Sequence, residues 1–152
     1  MGNKGLVIEK VDGPSHLKVV EEFGYEMYMH CGAIRKVLLA WQTPAFIDEY
    51  FKNIILHDQA FPHVRPDDLR EELKKIRQDG YAITHGEYVT DALGIGAPVF
   101  NSDGELAGSI GIIAPEIRVD TPELLDTQKD LVQFYASSLS ADLGYEKHDV
   151  FQ

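Results

Sequence analysis

Apolar positions along the chain switch between a period of two and a period of three to four, and the switches mark its elements. Residues 5–11 alternate, with Leu6 and Ile8 on one side, and read as a strand. Asp12-Gly13-Pro14-Ser15 is a turn signal, and residues 17–23 read as a second strand, giving a hairpin. From 31 to 41 the period lengthens: Ala33, Val37, Ala40 and Trp41 recur at helical spacing, and Leu38 widens the stripe. Thr43-Pro44 restarts a helix, with Thr43 as cap and Pro44 at the first position, where its missing N–H costs nothing. That short helix carries Phe46, Ile47 and Tyr50, and residues 54–65 are irregular. Over 66–78 Leu69, Leu73 and Ile76 define a buried face. Asp67 and Asp68 at the start and Lys74, Lys75 and Arg77 at the end suit the helix dipole, and Gly80 ends the helix.

Three strands follow at 81–89, 93–100 and 105–113, the last with a possible extension to 118. Asn101-Ser102-Asp103-Gly104 joins the second and third as a hairpin loop. Thr121-Pro122-Glu123 caps a long helix running to about 144. Leu124, Leu131, Tyr135 and Leu139 mark its face, with Leu125, Val132 and Phe134 nearby, and this Leu/Tyr stripe reads as core or as an oligomer seam. Residues 145–152 are polar and read as a mobile tail. Neighbouring strands joined by tight turns make an antiparallel sheet that helices must cover, so the class is α+β, not doubly wound. The expected organisation is one domain over 5–144, with 1–4 an expression remnant or a domain edge. A chain that opens directly on a strand points to a further part upstream.

Charge changes the picture. Fourteen basic residues against 25 acidic ones leave a net charge of −11. Such a surface repels the phosphate backbone that supplies most non-specific nucleic-acid affinity, and no helix-turn-helix, zinc-finger spacing or basic stripe offsets it. No apolar run approaches the roughly 20 residues of a membrane span. The absence of a signal pattern and the single cysteine, Cys31, place the expected location in the cytoplasm.

Candidate chemistry is sparse. His30-Cys31 invites a metal or a nucleophile, but adjacent residues need not face one another, and Cys31 reads better as a small buried hydrophobe. His30, His57, His63 and His85 match no short ligand spacing, so no metal and no cofactor are expected. Glu87 lacks a visible partner acid or nucleophile and reads as a surface or structural carboxylate. Gly94-Ile95-Gly96 lacks the Gly-Lys-Ser/Thr of a phosphate loop and marks a bulge or a close backbone approach. No catalytic residue is assigned, and the chain is not expected to be an enzyme.

Two stretches carry a family pattern. One is Met29-His30-Cys31-Gly32-Ala33-Ile34-Arg35-Lys36-Val37-Leu38-Leu39-Ala40. The other runs from the helix end Ile76-Arg77-Gln78-Asp79-Gly80-Tyr81-Ala82 through Gly86-Glu87 and Ala97-Pro98-Val99-Phe100 to the hairpin at Gly104 and Ala114-Pro115. In this order they resemble the C-terminal effector-binding domain of the IclR family of bacterial transcriptional regulators. The resemblance implies a GAF-like antiparallel sheet flanked by helices, with a ligand pocket on one face. It also implies a preceding winged helix-turn-helix domain that alone would contact DNA, and assembly into dimers or tetramers. The chain departs from the family pattern at Arg35, where a glycine is usual, and at Thr84, Gly94 and Ile113, where polar or acidic pocket residues occur in some members.

The expected pocket residues are Val19, Gly32, Ala33, Ile34, Thr84, His85, Gly94, Gly111 and Ile113. Family sensors often bind small carboxylates, and the first turn at Gly32-Ala33-Ile34 offers an anion free N–H groups and the positive end of a dipole. Gly94 and Gly111 are expected to leave room and Ile113 to remove a polar partner, which favours an aromatic or medium-chain acid, with Thr84 or His85 adding one hydrogen bond. A small-molecule enzyme using Cys31, His30 or His85, and a purely structural dimerisation module, are the alternatives.

Overall fold

Sequence signals for starting and stopping account for most element boundaries. The computed structural model describes residues 2–14, 24, 26–57, 64–87 and 89–147. The strands are β1 (Lys4–Leu6), β2 (Glu26–Tyr28), β3 (Ala82–His85), β4 (Ala92–Phe100) and β5 (Leu106–Pro115). The helices are α1 (Ala33–Ala40), α2 (Pro44–Tyr50), α3 (Pro66–Asp79) and α4 (Pro122–Asp142). Thr43 Oγ1 accepts from the Phe46 N–H and Thr121 Oγ1 from the Leu124 N–H, so both Thr-Pro pairs start helices as their chemistry requires. α2 continues into one π-helical turn, Phe51–Ile55, and Gly80, at φ +82°, ends α3 in the left-handed conformation.

β3, β4 and β5 form one antiparallel sheet in that order, and β1 and β2 pair as a second, two-stranded one. β4 is buried from Ala92 to Val99 because helices cover both of its faces. Its odd positions, Leu93, Ile95, Ala97 and Val99, pack with Val132 and Ala136 of α4. Its even positions meet α1: a Cβ at Gly96 would stand 2.8 Å from Ile34 Cα. The absence of that Cβ lets helix backbone lie directly on strand backbone. Beyond α1, a second cluster joins Val37, Leu39, Tyr50, Leu69, Leu73 and Ile76, so the layers run α2/α3, α1, sheet, α4. The α+β class and the antiparallel sheet are as the patterning predicts.

Several details depart from it. The partner of β1 is Glu26–Tyr28, a strand the pattern does not mark, while the expected strand 17–23 lies outside the described residues. The expected strand 81–89 stops at His85, where Gly86 (φ +64°) and Asp91 (φ +62°) turn the chain. The extension beyond 113 reaches only Pro115 before a 3-10 turn, Glu116–Arg118. The tail does not begin at 145: Tyr145 donates its N–H to the Ser140 carbonyl, and its ring lies 5.2 Å from that of Phe100. On α4 the core reading of the Leu/Tyr stripe is the one that fails. Val132, Ala136 and Ser140 are its buried residues, and Leu124, Leu131, Tyr135 and Leu139 face outward. Small residues win the inner face because they let the helix approach the sheet, and Ser140 there accepts from the Phe100 N–H while donating to the Ala136 carbonyl.

Candidate ligand-binding site

Sheet register gathers the site. Thr84, Gly94 and Ile113 stand opposite one another in a single row across β3, β4 and β5. That row faces the first turn of α1, and between them lies a hollow lined by Gly32, Ala33, Ile34, Thr84, Gly94 and Ile113, with Arg35, Glu87, Val89, Ala92 and Leu93 completing its walls. Six of the nine expected pocket residues therefore meet in one place. His85 does not: one residue beyond Thr84, it points to the opposite face, as strand alternation demands, and its Nδ1 lies 2.9 Å from Glu116 Oε1 at the surface. Val19 lies outside the described residues.

Gly111 is also not a pocket residue. It belongs to the next row, opposite Gly96, where a Cβ would be driven into the Ile95 carbonyl oxygen and would stand 2.7 Å from Ile34 Cγ1. It is a packing glycine, and it leaves no room for a ligand. Gly94 leaves little: a Cβ there would stand 3.0 Å from Thr84 Oγ1 and 3.4 Å from Ala33 Cβ. The cavity amounts to about 20 Å³, room for one water. The expectation of a roomy pocket is thus overturned by the approach of α1 to the sheet.

The first turn of α1 is already engaged. The Ala33 N–H donates to Thr84 Oγ1 at 3.0 Å, and the Gly32 N–H lies 3.4 Å from Glu87 Oε1. Two of the N–H groups expected to be free thus have partners, although the Thr84 hydroxyl retains its own proton for donation. Glu87 is held in turn by Lys36, whose ammonium, 6% exposed, bridges it to Glu72 of α3. Residue patterning alone did not reveal this triad. Its signal was Arg35-Lys36 inside an otherwise apolar helical stretch, where both side chains are buried.

The remaining candidates point apart. His30 is buried, with Nδ1 2.7 Å from the Tyr50 hydroxyl, which also accepts the Met29 N–H. Cys31 Sγ donates to the Glu87 carbonyl at 3.0 Å. His57 is exposed on a turn, and His63 lies outside the described residues. Among the described residues no three His, Cys, Asp or Glu side chains converge as a metal site, and no helix is long and apolar enough to cross a membrane.

The sheet, the covering helix and the hollow at its first turn define a regulatory-type α+β domain with one helix laid across an antiparallel sheet. The sequence pattern of the family described as "Bacterial transcriptional regulator IclR C-terminal" matches residues 1–141, and the chain belongs to that family. RhmR of Escherichia coli K12, an HTH-type transcriptional regulator by name, is 31% identical over 115 residues, covering 74% of this chain and 44% of its own length. The HTH-type regulator KipR of Bacillus subtilis is 26% identical, covering 95% and 58%. The crystal structure of Thermotoga maritima IclR superposes with a TM-score of 0.84 at 28% identity, covering 95% of this chain and 59% of that one. The chain thus spans about half the length of the curated relatives it matches, and those relatives are transcriptional regulators.

Proposed function

We propose that this chain is the effector-sensing domain of an IclR-type transcriptional regulator and that its effector is a small carboxylate bound between the first turn of α1 and the row Thr84, Gly94 and Ile113. The observation that carries this reading is the convergence of the helix start and the sheet row on one hollow. The carboxylate assignment draws support from Glu87, which already sets a carboxylate against the Gly32 N–H. An effector acid would take over that contact, or share the first turn with it, and accept the Thr84 hydroxyl proton. Gly111 packs against Ile95 and Ile34 and opens no room for a bulky aromatic group, so the proposed class is small carboxylates.

A cavity of about 20 Å³ admits no such acid until α1 and the sheet row part. Binding therefore selects a second, wider arrangement, and the free-energy difference between the two is what the effector works against. In the longer protein that shift would reposition paired DNA-binding domains of the helix-turn-helix type named in the relatives, the protein acting as a homo-oligomer in the cytoplasm. The small volume of the hollow also favours one rival, a structural dimerisation module with a filled pocket.

The discriminating experiment is amide NMR of the chain titrated with glyoxylate, pyruvate, phenylacetate and hexanoate. Saturable shifts at Gly32, Ala33, Thr84 and Gly94, lost in Gly94→Ala, are the expected result. Shifts confined to other residues would place any site elsewhere, and no saturable shift with any of the four would favour the module.

A further inference from the structure

Glu87 stands where the proposed effector would stand. Both of its carboxylate oxygens reach Lys36 Nζ, at 2.6 and 2.8 Å, and one of them also lies 3.4 Å from the Gly32 nitrogen. The two contacts are unequal. The ion pair is short and charge-assisted, whereas the bond to the helix start is long for its kind. The backbone and the side chain of Glu87 are unequal too. Its carbonyl accepts the Cys31 thiol at 3.0 Å, which ties this point of the chain to the residue before Gly32. Its side chain keeps 27% of its exposure on the wall of the hollow and has water to turn into. Lys36 cannot follow such a turn outward, because its ammonium is buried and held from the other side by Glu72 of α3.

We propose that Glu87 is a built-in competitor of the effector: its carboxylate occupies the anion position at the first turn of α1, and an arriving acid must turn it out. The inference rests on the preceding reading that a small acid binds there, and it gives that site its regulation. The exchange sets one carboxylate in place of another at the same N–H. What the acid gains at the turn is therefore largely offset by what Glu87 gives up. Once displaced, Glu87 keeps Lys36, since the weaker of its two contacts is the one that breaks. Two carboxylates then share one corner, and their repulsion adds to the cost. One side chain thus sets the effector concentration at which the domain responds. By linkage, whatever weakens the contact of Glu87 with the turn strengthens effector binding to the same degree.

Isothermal titration calorimetry with glyoxylate, pyruvate, phenylacetate and hexanoate, on the wild-type chain and two variants, tests this. Glu87→Gln keeps the shape and removes the charge, so it should bind the preferred acid about tenfold more tightly than wild type. Glu72→Gln removes an equal charge from the far side of Lys36 but leaves Glu87 at the turn, and should tighten binding less than about threefold. Equal gains in the two variants would reduce the effect to general repulsion and overturn the competitor. A second readout needs only the wild type: in NMR the side-chain carboxyl carbon of Glu87 should shift in step with the Gly32 amide as the acid saturates. A Gly32 amide that moves while the Glu87 carboxyl stays put would overturn the proposal even if Glu87→Gln failed to fold. An acid bound equally by wild type and Glu87→Gln removes the competitor and leaves the effector reading standing. Binding of none of the four acids to any of the three chains removes both.

Discussion

Lys36 shows how much one residue can hold. Its ammonium is 6% exposed and joins three elements: α1, which carries it, α3 through Glu72, and the turn after β3 through Glu87. A buried ammonium is tolerable only because both carboxylates meet it, and those carboxylates keep 37% and 27% of their own exposure. Replacing it by methionine keeps the apolar stem and removes the charge. Because Glu72 and Glu87 can turn to water, Lys36→Met should lower stability by about 2 kcal/mol, short of the 3–5 kcal/mol of a fully buried broken pair, as read by urea unfolding. No loss of stability would mean the triad is not formed in solution. The triad was invisible to periodicity, because a lysine within a helix reads as a solvated position until the third element that covers it is known. That six of the expected residues line one hollow was legible for the opposite reason: a first turn of small residues and the alternation of three consecutive strands are local properties of the chain.

At the scale of elements, the contact that shapes the site is that of α1 on β4 and β5. Gly96 and Gly94 sit two residues apart on the same strand face and differ in what a methyl group would meet. At Gly96 it would meet Ile34 Cα, Ile34 N and Ala33 C at 2.8, 3.0 and 3.1 Å, all of them backbone. At Gly94 it would meet the Thr84 side-chain oxygen at 3.0 Å, which can give by a few tenths of an ångström without losing its bond to the Ala33 N–H, and Ala33 Cβ and N at the ordinary contact distances of 3.4 and 3.5 Å. Gly96→Ala should therefore cost about 1–3 kcal/mol, as overpacking does, and Gly94→Ala less than about 1 kcal/mol. Equal losses in thermal unfolding would contradict the register that sets the two rows. The helices show what a pattern can and cannot tell. Thr43-Pro44 and Thr121-Pro122 were readable because caps are local chemistry, and so was the single-faced stripe of α3. Of the two readings of the α4 stripe, core or oligomer seam, the core reading fails because the helix has two apolar faces. Amphipathicity ranks faces by side-chain size, whereas the sheet accepted the face with small residues that allow close approach. The room assigned to Gly111 failed in the same way, since a glycine marks either space or contact, and only the packed partner decides which.

At the scale of the whole molecule the central claim is the proposal that the narrow hollow of this IclR-family C-terminal domain widens for a small acid. Family membership and the layered antiparallel fold do not depend on that claim, but the position of the hollow between α1 and the sheet gives it a thermodynamic consequence. A ligand that binds only the folded domain raises its stability, by about 2.7 kcal/mol at one hundred times Kd. If the acid binds as proposed, part of its intrinsic binding energy would be spent in parting α1 from the sheet row, and the apparent affinity would be the intrinsic one scaled by the fraction of molecules in the wider arrangement. The most direct measurement is the midpoint of thermal unfolding against rising concentrations of glyoxylate, pyruvate, phenylacetate and hexanoate, with the neutral amide of each acid as its control. The account predicts that at least one acid raises the midpoint in a saturable, concentration-dependent way, that its amide does not, and that Gly94→Ala abolishes the rise. Equal midpoints for every acid and its amide at saturating concentration would contradict carboxylate sensing, whereas a rise that survives Gly94→Ala would place the site outside the hollow at the first turn of α1.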